Sequence, residues 1–165
     1  MHPKKLSLIS LYTAIALCLF VVEMQIPLPI AFPGVKLGLS NVVTLIALLF
    51  LDRKSAAWIL FIRILLAAVL IGIPSTLLFS FVGGLFAFFV MILALKFLDT
   101  SHIWVVSILG ALAHNAGQVV AASIYLQTTS LLVFIPILII AAIVSGCFTG
   151  LIAKYLLPYG QWLSF

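Results

Sequence analysis

Six apolar runs, each broken by prolines, glycines or a small cluster of charges, fill this chain from Leu6 to Leu156. Their approximate bounds are 6–24, 37–51, 56–73, 75–97, 103–124 and 131–156. A helix that crosses the hydrocarbon core of a bilayer needs about 20 such residues. Within lipid every backbone N–H and C=O must be satisfied by the protein, and a run of this length does so as a helix. A soluble fold is excluded by composition: 66% of the 165 residues are hydrophobic and 7% are charged, against roughly 25% charged in an ordinary soluble domain. Eight Lys/Arg and three Asp/Glu cannot cover a water-facing surface of this size. The expected fold is an all-α integral membrane protein, a six-transmembrane-helix bundle forming one membrane domain over residues 1–165.

The breaks between runs carry information of their own. Pro27, Pro29 and Pro33 lie within seven residues and cannot continue a helix. Pro74 closes the third run, and Pro158-Tyr159-Gly160 ends the sixth. Trp162 is placed as an interfacial anchor. The charges then set orientation. With the N-terminus in the cytoplasm, Lys4, Lys5, Arg53, Lys54, Lys96 and Lys154 all fall inside, and Lys36 alone falls outside. Both termini are therefore expected in the cytoplasm, the N-in/C-in arrangement, in a bacterial cytoplasmic membrane.

Polar groups in hydrocarbon are costly and mark function by default. Those within or closing the spans are Glu23, Lys36, Asn41, Arg63, His114, Asn115 and Gln118. At a rise of about 1.5 Å per residue, His114 lies about 16 Å into the fifth span and Arg63 about 10 Å above the inner face. Glu23 and Lys36 sit at the outer ends of the first two spans, and Asn41 lies one and a half turns deeper than Lys36. Gly110, His114 and Gln118 share a helix face at i, i+4, i+8. These placements predict a substrate-binding pocket open to the outside, formed by Glu23, Lys36, Asn41, Arg63, His114, Asn115 and Gln118. Individually each has a plainer role: Arg63 as a snorkelling cation, Glu23 and Lys36 as interfacial charges, His114, Asn115 and Gln118 as interhelical bonding, and Gly83-Gly84 as a packing notch.

Other classes find no support in the residues. Cys18 and Cys147 lie in apolar runs and read as small buried hydrophobes. No metal site and no cofactor is expected. Asp52 and Asp99 stand in separate loops, so no aspartate cluster can hold Mg²⁺ against a diphosphate. There is no P-loop and no catalytic nucleophile pattern, so no enzymatic activity is expected. The cations are too scattered for nucleic acid.

Three segments carry a family likeness. They are Pro33-Gly34-Val35-Lys36-Leu37-Gly38-Leu39-Ser40-Asn41, the third-span Arg63, and Gly110-Ala111-Leu112-Ala113-His114-Asn115-Ala116-Gly117-Gln118. With Glu23 closing the first span, the chain resembles the small membrane family called heptaprenyl diphosphate synthase component I, also called the Gx transporter family, over about residues 6–157. That family is similar in layout to the substrate-binding S components of energy-coupling factor (ECF) transporters. The resemblance implies partners: a transmembrane coupling protein and two cytoplasmic ATPases. It also implies a docking face on the first helix, where Ala14 and Cys18 form the nearest match to a small-x-x-x-small pattern, and a first outer loop, Pro27–Gly34, that covers the substrate. The family name hints at a ligand from isoprenoid or quinone metabolism.

The expectation is therefore an S-component-like subunit of a small-molecule importer, with an anionic or amphipathic ligand. Two other readings stay open. One is a membrane accessory subunit of a prenyl diphosphate synthase. The other is a quinone-binding, redox-linked membrane subunit.

Overall fold

The structure, a computed structural model, describes residues 3–26 and 38–160. Lys36, the Pro27–Gly34 loop and Trp162 lie outside the described residues. Six α-helices follow one another: α1 Pro3–Met24, α2 Asn41–Phe50, α3 Arg53–Ile71, α4 Pro74–Phe97, α5 Ile103–Leu126 and α6 Ile135–Leu156. Single 3₁₀ turns at Thr100–His102, Ser130–Phe134 and Leu157–Tyr159 precede α5, precede α6 and follow α6.

Local chemistry fixes the helix ends. Asp52 caps α3 by accepting the Ser55 N–H at 2.9 Å, so this helix begins three residues before its apolar run. Gly72, at φ +69°, closes α3 in the left-handed conformation that glycine adopts without a Cβ clash. Its N–H reaches the Ala68 carbonyl. Pro74 does not close the third helix; it opens the fourth, where its missing N–H costs nothing and its fixed φ suits the first turn. Pro136 plays the same part in α6, and the residues before it form the 3₁₀ turn rather than the helix.

The second run departs most from expectation. It yields a helix of ten residues, Asn41–Phe50, about 15 Å long and half of the roughly 30 Å hydrocarbon core. Among the described residues, five helices, not six, are long and apolar enough to cross a membrane. The short α2 instead sits at the centre of the bundle. It touches each of the other five helices, and Val43, Leu45 and Ala47 are essentially inaccessible. A helix surrounded on all sides needs no polar face, which is why this stretch is apolar apart from Asn41 and Thr44.

From α2 onward, short connections link successive helices. Lys5 at the start of α1 pairs with Asp52 at 2.5 Å, placing the start of α1 beside the α2–α3 turn. One end of the bundle therefore gathers Lys4, Lys5, Arg53, Lys54, Lys96 and Lys154. α5 lies between α4 and α6, and α3 packs against α1, α2 and α4. The α5–α6 approach is close: a Cβ on Gly146 would stand 2.6 Å from the Ile108 Cα, and one on Gly150 2.6 Å from the Trp104 Cα. Between them Ser107 and Thr149 bond at 2.8 Å.

The outer surface is apolar, as the buried core is, and a few polar side chains are enclosed within that core. Val69, Phe97, Val133 and Ile124 stand largely exposed on the outside, while Glu23, Arg63, His114 and Gln118 are buried. Lipid favours such an arrangement, because apolar side chains lose nothing by facing acyl chains. The cysteines depart from expectation: Cys18 is exposed and Cys147 half-buried, so neither is fully buried. Ala14 is exposed on the same helix, so neither residue of the small-x-x-x-small pattern is used in packing within the chain.

Candidate functional site

The polar centre is assembled from the end of α1, the start of α2 and the middles of α3, α4 and α5. Glu23 lies in the last turn of α1. Its carboxylate accepts the backbone N–H of Gly38. Gly38 stands at φ +80°, and a Cβ there would come within 2.8 Å of the Asn41 Nδ2 and 3.0 Å of the His114 Cδ2. Glycine is thus required twice, by backbone conformation and by crowding. Two residues on, Ser40 accepts a hydrogen bond from the Arg63 Nη1. The Glu23 carboxylate is also close enough to act electrostatically on Arg63.

On the other side, α4 and α5 approach through glycine. A Cβ on Gly83 would meet the Gln118 Cγ and the His114 carbonyl oxygen, each at 2.8 Å, and the His114 Cε1 at 3.1 Å. Gly117 approaches the Gly83 Cα in the same way. The Gly83 notch therefore seats His114 and Gln118, the two polar residues one helical turn apart on α5. The third member of their face, Gly110, makes room for Met91 instead.

Five of the expected residues thus come together: Glu23, Asn41, Arg63, His114 and Gln118. Asn115 does not join them. It donates its amide Nδ2 to the Leu138 carbonyl at 3.0 Å and binds α5 to α6. Residues adjacent on a helix are turned about 100° apart, so His114 and Asn115 serve different neighbours. Lys36 lies outside the described residues. Gly38 and Ser40 were not singled out as site residues, although both stand in the segment Pro33–Asn41. A glycine and a serine just before a polar helix start were the available signal.

The members of the cluster are buried side chains. Glu23, Asn41, Arg63, His114 and Gln118 are each no more than 6% exposed. Two apolar clefts lie away from the cluster. One of about 360 Å³ runs between α1, α2 and α6 past Leu11, Tyr12, Ile46 and Phe148. Another of about 350 Å³ lies between α5 and α6 past Val119, Leu132 and Ile139.

Two members of the cluster keep buried polar atoms without a partner. The Nε and Nη2 of Arg63 and both amide atoms of Asn41 make no hydrogen bond and reach no solvent. Each such group costs about 1–3 kcal/mol, beyond the about 2.5–3.5 kcal/mol that insertion of an arginine at the centre of a span costs. The donor set does not suit a metal-bound diphosphate. Among the described residues no three His, Cys, Asp or Glu side chains gather into a metal site, and Asp52 and Asp99 stand in different loops.

The family model for heptaprenyl diphosphate synthase component I matches residues 12–156. That span contains every residue of the cluster. No curated protein and no solved structure matches the chain.

Proposed function

The chain belongs to the heptaprenyl diphosphate synthase component I family, and on that premise we propose that it is a membrane-embedded small-molecule-binding subunit, built like an S component of an ECF importer. One observation carries the reading: buried polar groups from four helices meet between the spans, and those of Arg63 and Asn41 are left without partners. The hydroxyls that join α5 to α6, Ser107 and Thr149, by contrast bond each other. In this reading the ligand completes the hydrogen bonding of the site, an anionic or amphipathic molecule meets Arg63, and the chain itself performs no chemistry. Energy for transport comes from a coupling protein and ATPases that dock from outside the bundle, with the lipid-facing Ala14 and Cys18 side of α1 available to them. The membrane orientation has the Lys-rich end in the cytoplasm.

The test is native-membrane purification of the tagged chain followed by identification of its partners and bound small molecules. Co-purifying ATPases, together with a ligand that is lost in Arg63→Ala, support the importer subunit. The family description names one component of an assembly, which favours a second reading: an accessory subunit of a prenyl diphosphate synthase. Co-purification of a soluble, aspartate-rich synthase instead of ATPases would establish that reading and remove the first.

A further inference from the structure

Arg63 offers five N–H bonds in a fixed plane. The donor used within the protein is Nη1, which bonds the Ser40 hydroxyl. The two nitrogens without a partner, Nε and Nη2, are not a random pair. They form one edge of the guanidinium, with two N–H bonds parallel and side by side. That edge matches the two oxygens of a single carboxylate. Beside Ser40, at the first turn of α2, the Asn41 amide also lacks partners on both its oxygen and its nitrogen. Arg63 is 3% and Asn41 6% exposed, so water from the bulk does not reach either group.

We propose that the open edge of Arg63 and the Asn41 amide receive a carboxylate of the ligand, with Nε and Nη2 each donating to one oxygen. The inference rests on the reading of this cluster as a ligand site and names the group that the site recognises. Charge argues for a carboxylate over a phosphate. Among the described residues, the cluster holds one fixed cation, Arg63, and one acid, Glu23, whose carboxylate is already committed to the Gly38 N–H. A carboxylate therefore adds one negative charge, which the positive end of α2, worth about half a charge, partly offsets. A phosphate monoester adds close to two in a region where unpaired charge is expensive. Hydrogen-bond strength argues for a carboxylate over a neutral carbonyl, because charge-assisted pairs are about twice as strong.

The experiment uses the full chain in nanodiscs of zwitterionic lipid and three probes that share one tail: hexanoate, hexanamide and hexyl phosphate. Thermal shift and titration calorimetry are read at neutral pH. Hexanoate is expected to stabilise the wild type more than either companion. Arg63→Lys keeps the charge but loses the paired edge, and should weaken hexanoate about 10- to 100-fold, the span of one charge-assisted bond. Asn41→Ala gives a second reading if Arg63→Lys does not fold, and should also weaken hexanoate. Equal or tighter binding of hexanamide or hexyl phosphate overturns the carboxylate, as does hexanoate binding that both variants leave unchanged. A wild type that ignores all three probes but is stabilised by a neutral metabolite extract overturns the carboxylate and keeps the ligand site. A wild type that ignores the extract as well removes both.

Discussion

At the scale of single residues, Gly38 decides more than any charged group, because it shapes the space in which the charged groups meet. Its N–H holds Glu23, its left-handed backbone turns the chain into α2, and its bare Cα admits Asn41 and His114. Gly72 supplies a control within the same molecule. It has a similar φ of +69° but nothing within 4 Å of a built Cβ. Gly72→Ala should lose only the cost of a left-handed alanine, about 1–2 kcal/mol. Gly38→Ala should lose that and the crowding besides, with a lower melting temperature than Gly72→Ala in the same detergent. Equal melting temperatures would mean that the neighbours of Gly38 move aside freely.

At the scale of elements, the start of α3 is held by an acid that does two jobs. Asp52 caps the helix through the Ser55 N–H and hydroxyl, and bridges to Lys5 of α1. The Lys5 ammonium, together with the Ser55 N–H, holds its carboxyl down to about 2 from an ordinary 3.8. A depressed acid stabilises the fold fully above its ordinary pKa and loses that contribution as pH falls through its folded value. The wild type should therefore melt above Asp52→Asn at neutral pH, and the gap should close between about pH 4 and pH 2. A gap that stays constant through that window would show that the charge of Asp52 does not support the helix. α2 teaches the complementary lesson. Its apolar sequence reads as a membrane span, but burial on all sides produces the same composition as lipid on all sides. Length separates the two, and the boundary at Asn41 emerges only where Gly38 bends the chain.

The whole molecule is a helical bundle with an apolar exterior, and six of its eight Lys/Arg, Lys4, Lys5, Arg53, Lys54, Lys96 and Lys154, share one end. Cytoplasmic loops of membrane proteins carry an excess of Lys and Arg. Reporter domains fused to the two termini should therefore both be active in the cytoplasm. Activity of either fusion on the opposite side would reverse the orientation and with it the side from which a ligand reaches the cluster.

The helical character of the described residues and the five helices long and apolar enough to cross a membrane, α1 and α3–α6, were legible in residue order, because lipid tolerates few backbone structures and few charges. The list of polar residues was legible for the same reason. Which of them meet was not. Asn115 lies next to His114 in the chain, yet serves α6 while His114 serves the centre, and only the packing of α5 against α4 and α6 distinguishes them. The tertiary structure likewise buried the cluster and left one edge of Arg63 without a partner. Pairing depends on which helix faces which, and that is settled by close approach at Gly83, Gly117, Gly146 and Gly150, contacts between residues far apart in the chain.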